Sequence, residues 1–299
     1  MLRQNLITDE QLALQVKFAL DEDIQSGDVT ASLIPLNTQL TADLFSRETA
    51  VLCGVDWLKQ TFMQLNPDVK IKWQAKDGDT LRPDQIICTL TGSAQSILTG
   101  ERTAINFLQT LSGTATQTKK YVDAIEGTNA QILDTRKTIP GLRLAQKYAV
   151  TCGGGMNHRF GLYDMILIKE NHIESAGSIG KALNAAFSVV QGNDKSSEIP
   201  IEIAIEIEVE TLNELHQALA GGAKRILLDN MSNDTLIEAV NINTVFSKEN
   251  DTTAAKLEAS GNVELETIKE IALTGVDYIS IGALTKHLHA VDFSLRFRE

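Results

Sequence analysis

The sequence predicts an α/β protein in which a small α+β domain precedes an incomplete parallel α/β barrel of the TIM-like kind. Three observations support this fold class. The hydrophobic share of 43% in 299 residues suffices for a full core and excludes wholesale disorder. The first hundred residues contain short strand-like segments separated by turns. From about residue 113, short apolar runs alternate with amphipathic stretches.

The first domain is predicted over residues 1–112. A helix is expected around Leu12, Val16 and Leu20, which recur at helical spacing. Turn residues separate the strands that follow. These strands are predicted at Leu40–Phe45, Ala50–Cys53, Val69–Trp73 and Ile86–Leu90. We interpret the region as an α+β domain built on an antiparallel sheet.

The second domain is predicted over residues 113–286 as alternating strands and helices. Its strands are expected at Gln131–Asp134, Met165–Ile168, Ile201–Glu208, Ile226–Asp229, Lys256–Ala259 and Tyr278–Ile281. Its helices are expected at Leu142–Val150, Ile179–Val190, Leu212–Ala220, Thr235–Val240 and Val263–Leu273. This series implies a parallel sheet with helices outside. Six strands, against eight in a closed barrel, mean that the barrel is incomplete or that one strand is hidden.

The strand that begins at Ile201 has an unusual alternation of apolar and acidic residues. Its period of two puts Glu206 and Glu208 on one face. An edge strand with solvated glutamates is one interpretation. Both faces of a parallel sheet are normally covered, so we favour a second one, in which these acids point into the barrel and meet buried cations.

Charge and cysteine content exclude several classes of function. The net charge of −12 with only 5% aromatic residues argues against nucleic-acid binding and against binding to anionic membranes. No apolar run approaches the roughly 18–20 residues of a membrane span, and the first residues do not resemble a secretory signal. Three cysteines, Cys53, Cys88 and Cys152, lie far apart in the sequence, which suits free thiols in a reducing cytoplasm.

Polar residues follow the predicted strands of the second domain, where parallel α/β proteins carry their sites. The basic candidates are Arg136, Lys137, His158, Arg159 and Lys169. The acidic candidates are Glu208 and Asp229. The small or polar candidates are Thr135, Ser260, Gly261, Asn262, Gly282 and Ala283. Each alone has a structural explanation, such as a solvated turn, a helix C-cap or an N-cap.

Together these residues indicate a site for anionic ligands. Residues 101–170 carry nine Lys/Arg and six Asp/Glu, a local excess of positive charge in an acidic chain. Unpaired cations are costly to bury, and arginine forks suit carboxylates or phosphates. Carboxylates opposite them suit Mg²⁺ or ribose hydroxyls, and the late glycine loops suit a phosphate group. Neither a GxxxxGK[ST] loop, a GxGxxG fingerprint nor a GxSxG elbow is present.

Seven stretches of the chain, in order, carry a resemblance to a known family. They are GERTAINFLQTLSGTAT from Gly100, DTRKTIPGLR from Asp134, KYAVTCGGGMNHRFGLYDMILIKENHI from Lys147, IEVET from Ile207, LLDNM from Leu227, EASGNV from Glu258 and TGVDYISIGALTKH from Thr274. In them the chain resembles the quinolinate phosphoribosyltransferases, also called nicotinate-nucleotide pyrophosphorylases (carboxylating).

The resemblance implies an N-terminal α/β sandwich followed by an incomplete α/β barrel, with residues 287–299 packing back on the sandwich. It also implies a homodimer whose active site receives an arginine from the other subunit. The residue that matches this arginine is Arg102.

The reaction that the resemblance implies joins quinolinate to 5-phosphoribosyl 1-pyrophosphate with Mg²⁺, and it yields nicotinate mononucleotide, pyrophosphate and CO₂. The residues expected around the quinolinate dicarboxylate are Arg102, Arg136, His158, Arg159 and Lys169. Lys137 would face the phosphoribosyl donor, and Glu208 and Asp229 would hold ribose hydroxyls and Mg²⁺. Ser260, Gly261 and Gly282 would line the pocket for the 5′-phosphate of the donor. The further residues expected to bind substrate are Thr135, Asn262 and Ala283. Lys137, Lys169, Glu208 and Asp229 are the expected catalytic residues.

Three alternatives stay open at this point. A related phosphoribosyltransferase could use another acceptor, such as nicotinate, although Arg102, Arg136 and Arg159 favour a dicarboxylate. A barrel enzyme could form an imine through Lys169. A non-catalytic anion-binding protein would bind such ligands without turnover.

Overall fold

The computed structural model describes residues 6–193 and 204–298, which form two compact units. Of the described residues, the first unit contains 6–119, 137–155 and 283–298, and the second contains 120–136, 156–193 and 204–282. The helices are α1 (Asp9–Ile24), α2 (Val55–Leu65), α3 (Ala94–Ala124), α4 (Arg143–Cys152), α5 (Glu170–Ala176), α6 (Ile179–Asn193), α7 (Leu212–Ala220), α8 (Asn233–Glu249), α9 (Ile268–Leu273) and α10 (Ala283–Lys286). The strands are β1 (Gln39–Ser46), β2 (Ala50–Val51), β3 (Lys70–Trp73), β4 (Thr80–Leu81), β5 (Ile86–Ser93), β6 (Gln131–Leu133), β7 (Met165–Ile168), β8 (Ala204–Val209), β9 (Arg225–Asp229), β10 (Lys256–Ser260), β11 (Tyr278–Ser280) and β12 (Phe293–Phe297).

The first unit is built on an antiparallel sheet with the strand order β12-β1-β5-β3. The short strands β2 and β4 form a separate antiparallel pair. Helix α1 begins with a capping box at Thr8, and the predicted face of Leu12, Val16 and Leu20 is buried. Burial of each such leucine or valine contributes about 1.5–3 kcal/mol. The C-terminal strand β12 pairs with β1, with Ser294 opposite Phe45.

The second unit carries the parallel sheet. Its strand order is β6-β11-β10-β9-β8-β7, and neighbouring strands pair in parallel. The six predicted strands and their parallel arrangement are confirmed, and no pairing between β6 and β7 closes the barrel within the described part of the chain. Residues 201–203 of the predicted third strand lie outside the described residues; the strand runs over Ala204–Val209.

Several elements differ from the prediction. Helix α3 runs without a break across residue 112, so the compact units do not divide where the sequence pattern changes. Helix α4 also groups with the first unit. The end of the chain does so as well, in line with the packing of residues 287–299 that the resemblance implies, and β12 pairs with β1. Helix α8 is longer than expected and α9 is shorter, because α9 begins only at Ile268. Across residues 6–193 and 204–298, no helix combines the length and apolarity that a membrane span needs.

Candidate active site

The carboxyl ends of β8, β9 and β10 lie side by side in the second unit. The parallel register places Ser260 beside Asp229 and places Glu208 beside Leu227. Since neighbouring parallel strands end at the same edge of a sheet, Glu208, Asp229 and Ser260 occupy one rim.

The loops after β9 and β10 are joined by hydrogen bonds. The Asn230 amide nitrogen donates to the Ser260 carbonyl oxygen over 2.9 Å, and Asn262 Nδ2 donates to Asn230 Oδ1 over 3.2 Å. Gly261 has a φ of +96°, and a Cβ there would lie 2.1 Å from Asn230 Oδ1. Only glycine fits this position, so Gly261 allows the loop after β10 to pack against the loop after β9. Ser260, Gly261 and Asn262 form a compact turn next to Asp229.

Lys169 pairs with Glu208 at the same rim. The Lys169 ammonium donates a hydrogen bond to the Glu208 carboxylate, and the side chains are 44% and 13% exposed. The Lys169 amide nitrogen donates to His172 Nδ1 over 3.0 Å, which fixes the backbone where α5 begins. Lys169 and Glu208 thus form an ion pair at this rim.

Arg159 is half-buried and close to a second guanidinium. Its Nη1 donates to the Met165 carbonyl oxygen over 3.3 Å. Burial lowers the pKa of Arg159, and the charge of Arg136 lowers it further, against the opposing effect of acidic neighbours such as Asp164. Two cations brought together in this way favour the binding of an anion, which would relieve their repulsion.

A buried carboxylate holds the loop that carries His158. Asp134 is fully buried, and it accepts hydrogen bonds from Asn157 Nδ2 over 2.6 Å and from the His158 amide nitrogen over 2.9 Å. Met156 extends the sheet by a parallel bridge to Leu133. Asp134 is not among the predicted site residues, although its place directly after an apolar strand indicated a functional acid.

His158 also contacts two buried glutamates inside the parallel sheet. Its Nε2 lies 2.8 Å from Glu206 Oε2 and 3.6 Å from Glu258 Oε1. The guanidinium of Arg225 donates to the other oxygen of each glutamate, both over 3.4 Å. His158 Nδ1 accepts from the Arg159 amide nitrogen over 2.7 Å, so the neutral ring carries its proton on Nε2.

The expectation that Glu206 and Glu208 meet buried cations is confirmed for Glu206, whereas the cation at Glu208 is partly exposed. Glu206 is 1% exposed and faces His158 and Arg225, and Glu208 pairs with Lys169. The alternative of a solvated edge strand is wrong, because β8 lies between β7 and β9. Sequence reasoning missed Arg225, the first residue of β9, and Glu258, the middle residue of β10.

The pKa values of the two buried glutamates are shifted in opposite directions. Burial and the charge of Glu206 raise the pKa of Glu258 to about 7. Burial would also raise the pKa of Glu206, but the hydrogen bond and charge of His158 outweigh it and hold that pKa low. Burial lowers the pKa of His158, but its contacts with Glu206 and Glu258 outweigh that effect and raise it. The protonation of these three groups is therefore coupled.

We expect the Glu258→Gln variant to remove part of the pH dependence of stability. The pKa of Glu258 rises on folding from 4.5, so its stabilising contribution is present below that value and is lost as the pH rises through about 7. Glutamine stays neutral throughout. Between about pH 5 and 8, the free energy of unfolding of the wild type should fall relative to the variant by at most roughly 3 kcal/mol.

Urea unfolding at several pH values measures this difference. Glu210→Gln is the matched control, because Glu210 is an exposed glutamate at the end of the strand that contains Glu206. A wild-type-to-variant difference that stays constant with pH would contradict the assignment of the raised pKa to Glu258.

The predicted site residues divide between the two units. The second unit contains Thr135, Arg136, His158, Arg159, Lys169, Glu208, Asp229, Ser260, Gly261, Asn262 and Gly282. The first unit contains Arg102, Lys137 and Ala283. Arg102 is exposed on α3, and Lys137 is also exposed, with its carbonyl oxygen accepting a hydrogen bond from Thr285 Oγ1 over 2.7 Å.

Two protein-family models match the chain. The model described as "Quinolinate phosphoribosyl transferase, N-terminal domain" matches residues 28–112. The model described as "Quinolinate phosphoribosyl transferase, C-terminal domain" matches residues 114–296. The first match ends and the second begins inside α3, where the sequence pattern changes to alternating strands and helices.

Individual relatives extend the similarity over nearly the whole chain. A quinolinate phosphoribosyltransferase [decarboxylating] of Nicotiana tabacum is 41% identical and covers 94% of this chain and 80% of its own length. A probable nicotinate-nucleotide pyrophosphorylase [carboxylating] of Bacillus subtilis is 39% identical, with coverage of 94% and 93%. The solved structure of the nicotinate-nucleotide pyrophosphorylase from Francisella tularensis is 43% identical and superposes with a TM-score of 0.90 over 98% of each chain.

Proposed function

Since the chain belongs to the quinolinate phosphoribosyltransferase family, we propose that the strand-end residues of its second unit form the centre of the active site. The chain transfers phosphoribosyl from 5-phosphoribosyl 1-pyrophosphate to quinolinate with decarboxylation, a reaction of NAD biosynthesis. The observation that carries the assignment of the site is the Lys169–Glu208 ion pair at the carboxyl edge of the parallel sheet, on the unit that also contains Arg136 and Arg159.

In the proposed site, cations bind the two carboxylates of quinolinate. Arg136 and Arg159 offer planar forks that match carboxylate oxygens, and Lys169 adds a point charge. His158 orients the loop through its contacts with Asp134 and Glu206. Binding of the dianion offsets the repulsion between the two arginines, so their arrangement favours a negatively charged ligand.

The phosphoribosyl donor is assigned to the opposite part of the rim. The compact turn of Ser260, Gly261 and Asn262, together with Thr135, Gly282 and Ala283, is proposed to bind the donor and its 5′-phosphate, because small residues and backbone amides suit phosphate oxygens. Lys137 would face the donor's phosphates. Glu208 and Asp229 are proposed to accept hydrogen bonds from the ribose hydroxyls.

The chemistry requires positioning and electrostatics more than a protein nucleophile. The pyridine nitrogen of quinolinate attacks the anomeric carbon while pyrophosphate leaves, and the ribose acquires oxocarbenium character. Carboxylates at Glu208 and Asp229 would stabilise this positive charge. The quaternary ring nitrogen then accepts the electron pair released when the adjacent carboxylate leaves as CO₂.

The donor set of this rim fits a magnesium ion. Among the described residues, the clusters of three or more possible ligands do not include Glu208 or Asp229, so the chain alone does not supply a full ligand set at this rim. We propose that these two carboxylates, which end or lie near the ends of β8 and β9, would supply the chain's share of the oxygen ligands. Mg²⁺ is commonly held by one or two carboxylates, with phosphates and water completing the shell. When bound, the ion would neutralise the charge of the departing pyrophosphate.

A direct assay tests the proposal. The purified protein is incubated with quinolinate, the phosphoribosyl donor and Mg²⁺, and nicotinate mononucleotide and CO₂ are measured, with nicotinate as the competing acceptor. We expect product from quinolinate, dependence on Mg²⁺ and little use of nicotinate. Absence of product, or equal use of nicotinate, would overturn the proposed substrate specificity.

We further propose a homodimer in which Arg102 completes the site of the neighbouring subunit. The support is the match of Arg102 to the family motif and its exposed position on α3. Arg102 is exposed on its own subunit. In a site shared between subunits, its positive charge would attract the anionic substrate.

Hybrid dimers provide the corresponding prediction. Arg102→Ala and Lys169→Ala should each be inactive, but after mixing and subunit exchange about a quarter of the wild-type activity should return, because half of the hybrid sites contain no substitution. Arg136→Ala mixed with Lys169→Ala is the control and should stay inactive, since both residues belong to one subunit's part of the site. Failure of the first pair to recover would argue against a shared site.

For localisation we propose the cytoplasm. The three cysteines are free thiols, as expected in a reducing compartment. The relatives named for plants include mitochondrial and chloroplastic proteins, so fractionation of the source cell is the appropriate test.

A further inference from the structure

Two of the three cysteines come together in the first unit, next to a carboxylate. Cys53 follows β2, Cys152 is the last residue of α4, and Asp77 lies before β4. The two sulfur atoms and one carboxylate oxygen lie within 4.8 Å of one another. Cys53 is fully buried, whereas Cys152 is partly exposed. The fold thus creates a thiol pair that the sequence separation conceals.

Hydrogen bonds to Asp77 connect the two chain segments that carry the sulfurs. Asp77 Oδ1 accepts from the amide nitrogens of Gly54 and Val55 over 3.0 and 3.1 Å, at the start of α2. Asp77 Oδ2 accepts from the Tyr148 hydroxyl over 2.9 Å, and Tyr148 lies one helical turn before Cys152. One carboxylate therefore holds the residue after Cys53 and the last turn of α4 near each other.

The backbone of Cys53 is fixed from a second side. Its amide nitrogen donates to Ser112 Oγ over 2.9 Å, and the same hydroxyl donates to the Cys53 carbonyl oxygen over 3.1 Å. Cys152 ends α4, and Ala149 and Val150 of the same helix are fully buried. Both thiols are thus carried on anchored backbone, so their proximity is a property of the native fold.

We propose that Cys53 and Cys152 form an oxidisable dithiol that a hydroperoxide converts into an intramolecular disulfide. The partly exposed Cys152 sulfur attacks the peroxide O–O bond, takes one oxygen as a sulfenic acid and releases an alcohol or water. The Cys53 sulfur then displaces the sulfenic hydroxyl, and its own proton leaves with that hydroxyl as water. In total, two thiols and one hydroperoxide give one disulfide, one alcohol and one water, with two electrons passing from sulfur to oxygen.

The order of these steps follows from the environments of the two thiols. Burial raises the pKa of Cys53 well above its usual value, as do the neighbouring Cys152 and Asp77, so Cys53 is a poor first nucleophile. Burial also raises the pKa of Asp77, to about 6, which leaves most of it ionised near neutral pH and able to take the Cys53 proton and pass it to the departing hydroxyl. Cys88 is buried on β5, where burial raises its pKa, and it lies outside the cluster of Cys53, Asp77 and Cys152.

Thiol mapping of the full chain tests the proposal. The protein is treated with hydrogen peroxide, alkylated in denaturant and analysed by intact mass and peptide mapping. We expect the loss of two alkylatable thiols, a peptide that links Cys53 to Cys152, an unmodified Cys88, and full reversal by dithiothreitol. Cys88→Ser should behave as the wild type, and Cys53→Ser should leave Cys152 to accumulate further oxygen as a sulfinic acid.

Other outcomes in the wild type would overturn the proposal. These are oxygen addition at Cys152 while Cys53 stays alkylatable, a link that includes Cys88, a link between two chains, or no loss of thiols. Because the linked peptide is detected in the wild-type protein, the result does not depend on whether a variant folds.

Discussion

Arg159→Ala should lower kcat/KM for quinolinate by at least about 100-fold, because removing one partner of a buried charge pair costs about 2–5 kcal/mol. Arg159 is half-buried beside Arg136, so its removal takes away one of the two forks proposed for the dicarboxylate. The substitution also relieves the repulsion between the two guanidiniums. The melting temperature of the unliganded variant should therefore not fall, while the rise in melting temperature that quinolinate produces should disappear.

Two further variants make this result specific. Arg159→Lys keeps the charge but loses the planar fork, and we expect an intermediate kcat/KM. Lys256→Ala changes the net charge equally, but Lys256 begins β10 and pairs with Asp277, away from the carboxyl rim. It should retain nearly normal activity. An Arg159→Ala variant with near-normal kcat/KM, or one whose loss only follows a lower melting temperature, would show that Arg159 does not bind substrate.

The sequence predicts the strands of the second unit better than the course of α3. Strands such as β7 have strong apolar runs bounded by polar residues, so their position follows from local pattern. The course of helix α3 does not follow from local pattern, because the small residues Ser112 and Gly113 interrupt its helical periodicity. A Cβ at Gly113 would lie 2.3 Å from the His289 carbonyl oxygen, so this glycine serves a close approach of the C-terminal segment rather than a helix end. Contacts of that kind are not visible in local sequence.

The candidate site shows the same division. Residues at strand ends, such as Lys169 and Asp229, can be found from topology alone, because parallel strands share one functional edge. Topology alone could not identify Asp134, Arg225 and Glu258, since the importance of each depends on which buried groups surround it. The alternation of β8 predicted buried acids, but the cation that meets Glu206 comes partly from the loop bearing His158, which is distant in sequence. Long-range electrostatic partners require the fold itself.

Asp229→Asn should lower kcat about 100-fold while changing KM for quinolinate little, since loss of one preorganised electrostatic contact to a transition state costs about 10²–10³ in kcat. Asp229 ends β9, and one of its carboxylate oxygens accepts from Asn230 Nδ2 over 2.7 Å. The amide keeps the shape but lacks the charge proposed to stabilise the oxocarbenium-like ribose. The Mg²⁺ concentration required for half-maximal activity should also rise.

Glu208→Gln separates the two roles assigned to this rim. It should lower kcat similarly, but it also removes the charged partner of Lys169, so KM for quinolinate should change as well. Glu210→Gln is the matched control, because Glu210 follows β8 and is exposed, and its variant should keep the wild-type kcat. Steady-state kinetics with each substrate varied in turn measures these effects. If Asp229→Asn changed only KM for the donor and left kcat intact, Asp229 would bind the ground state alone, and the proposed stabilisation of positive charge on the ribose would have to come from other groups.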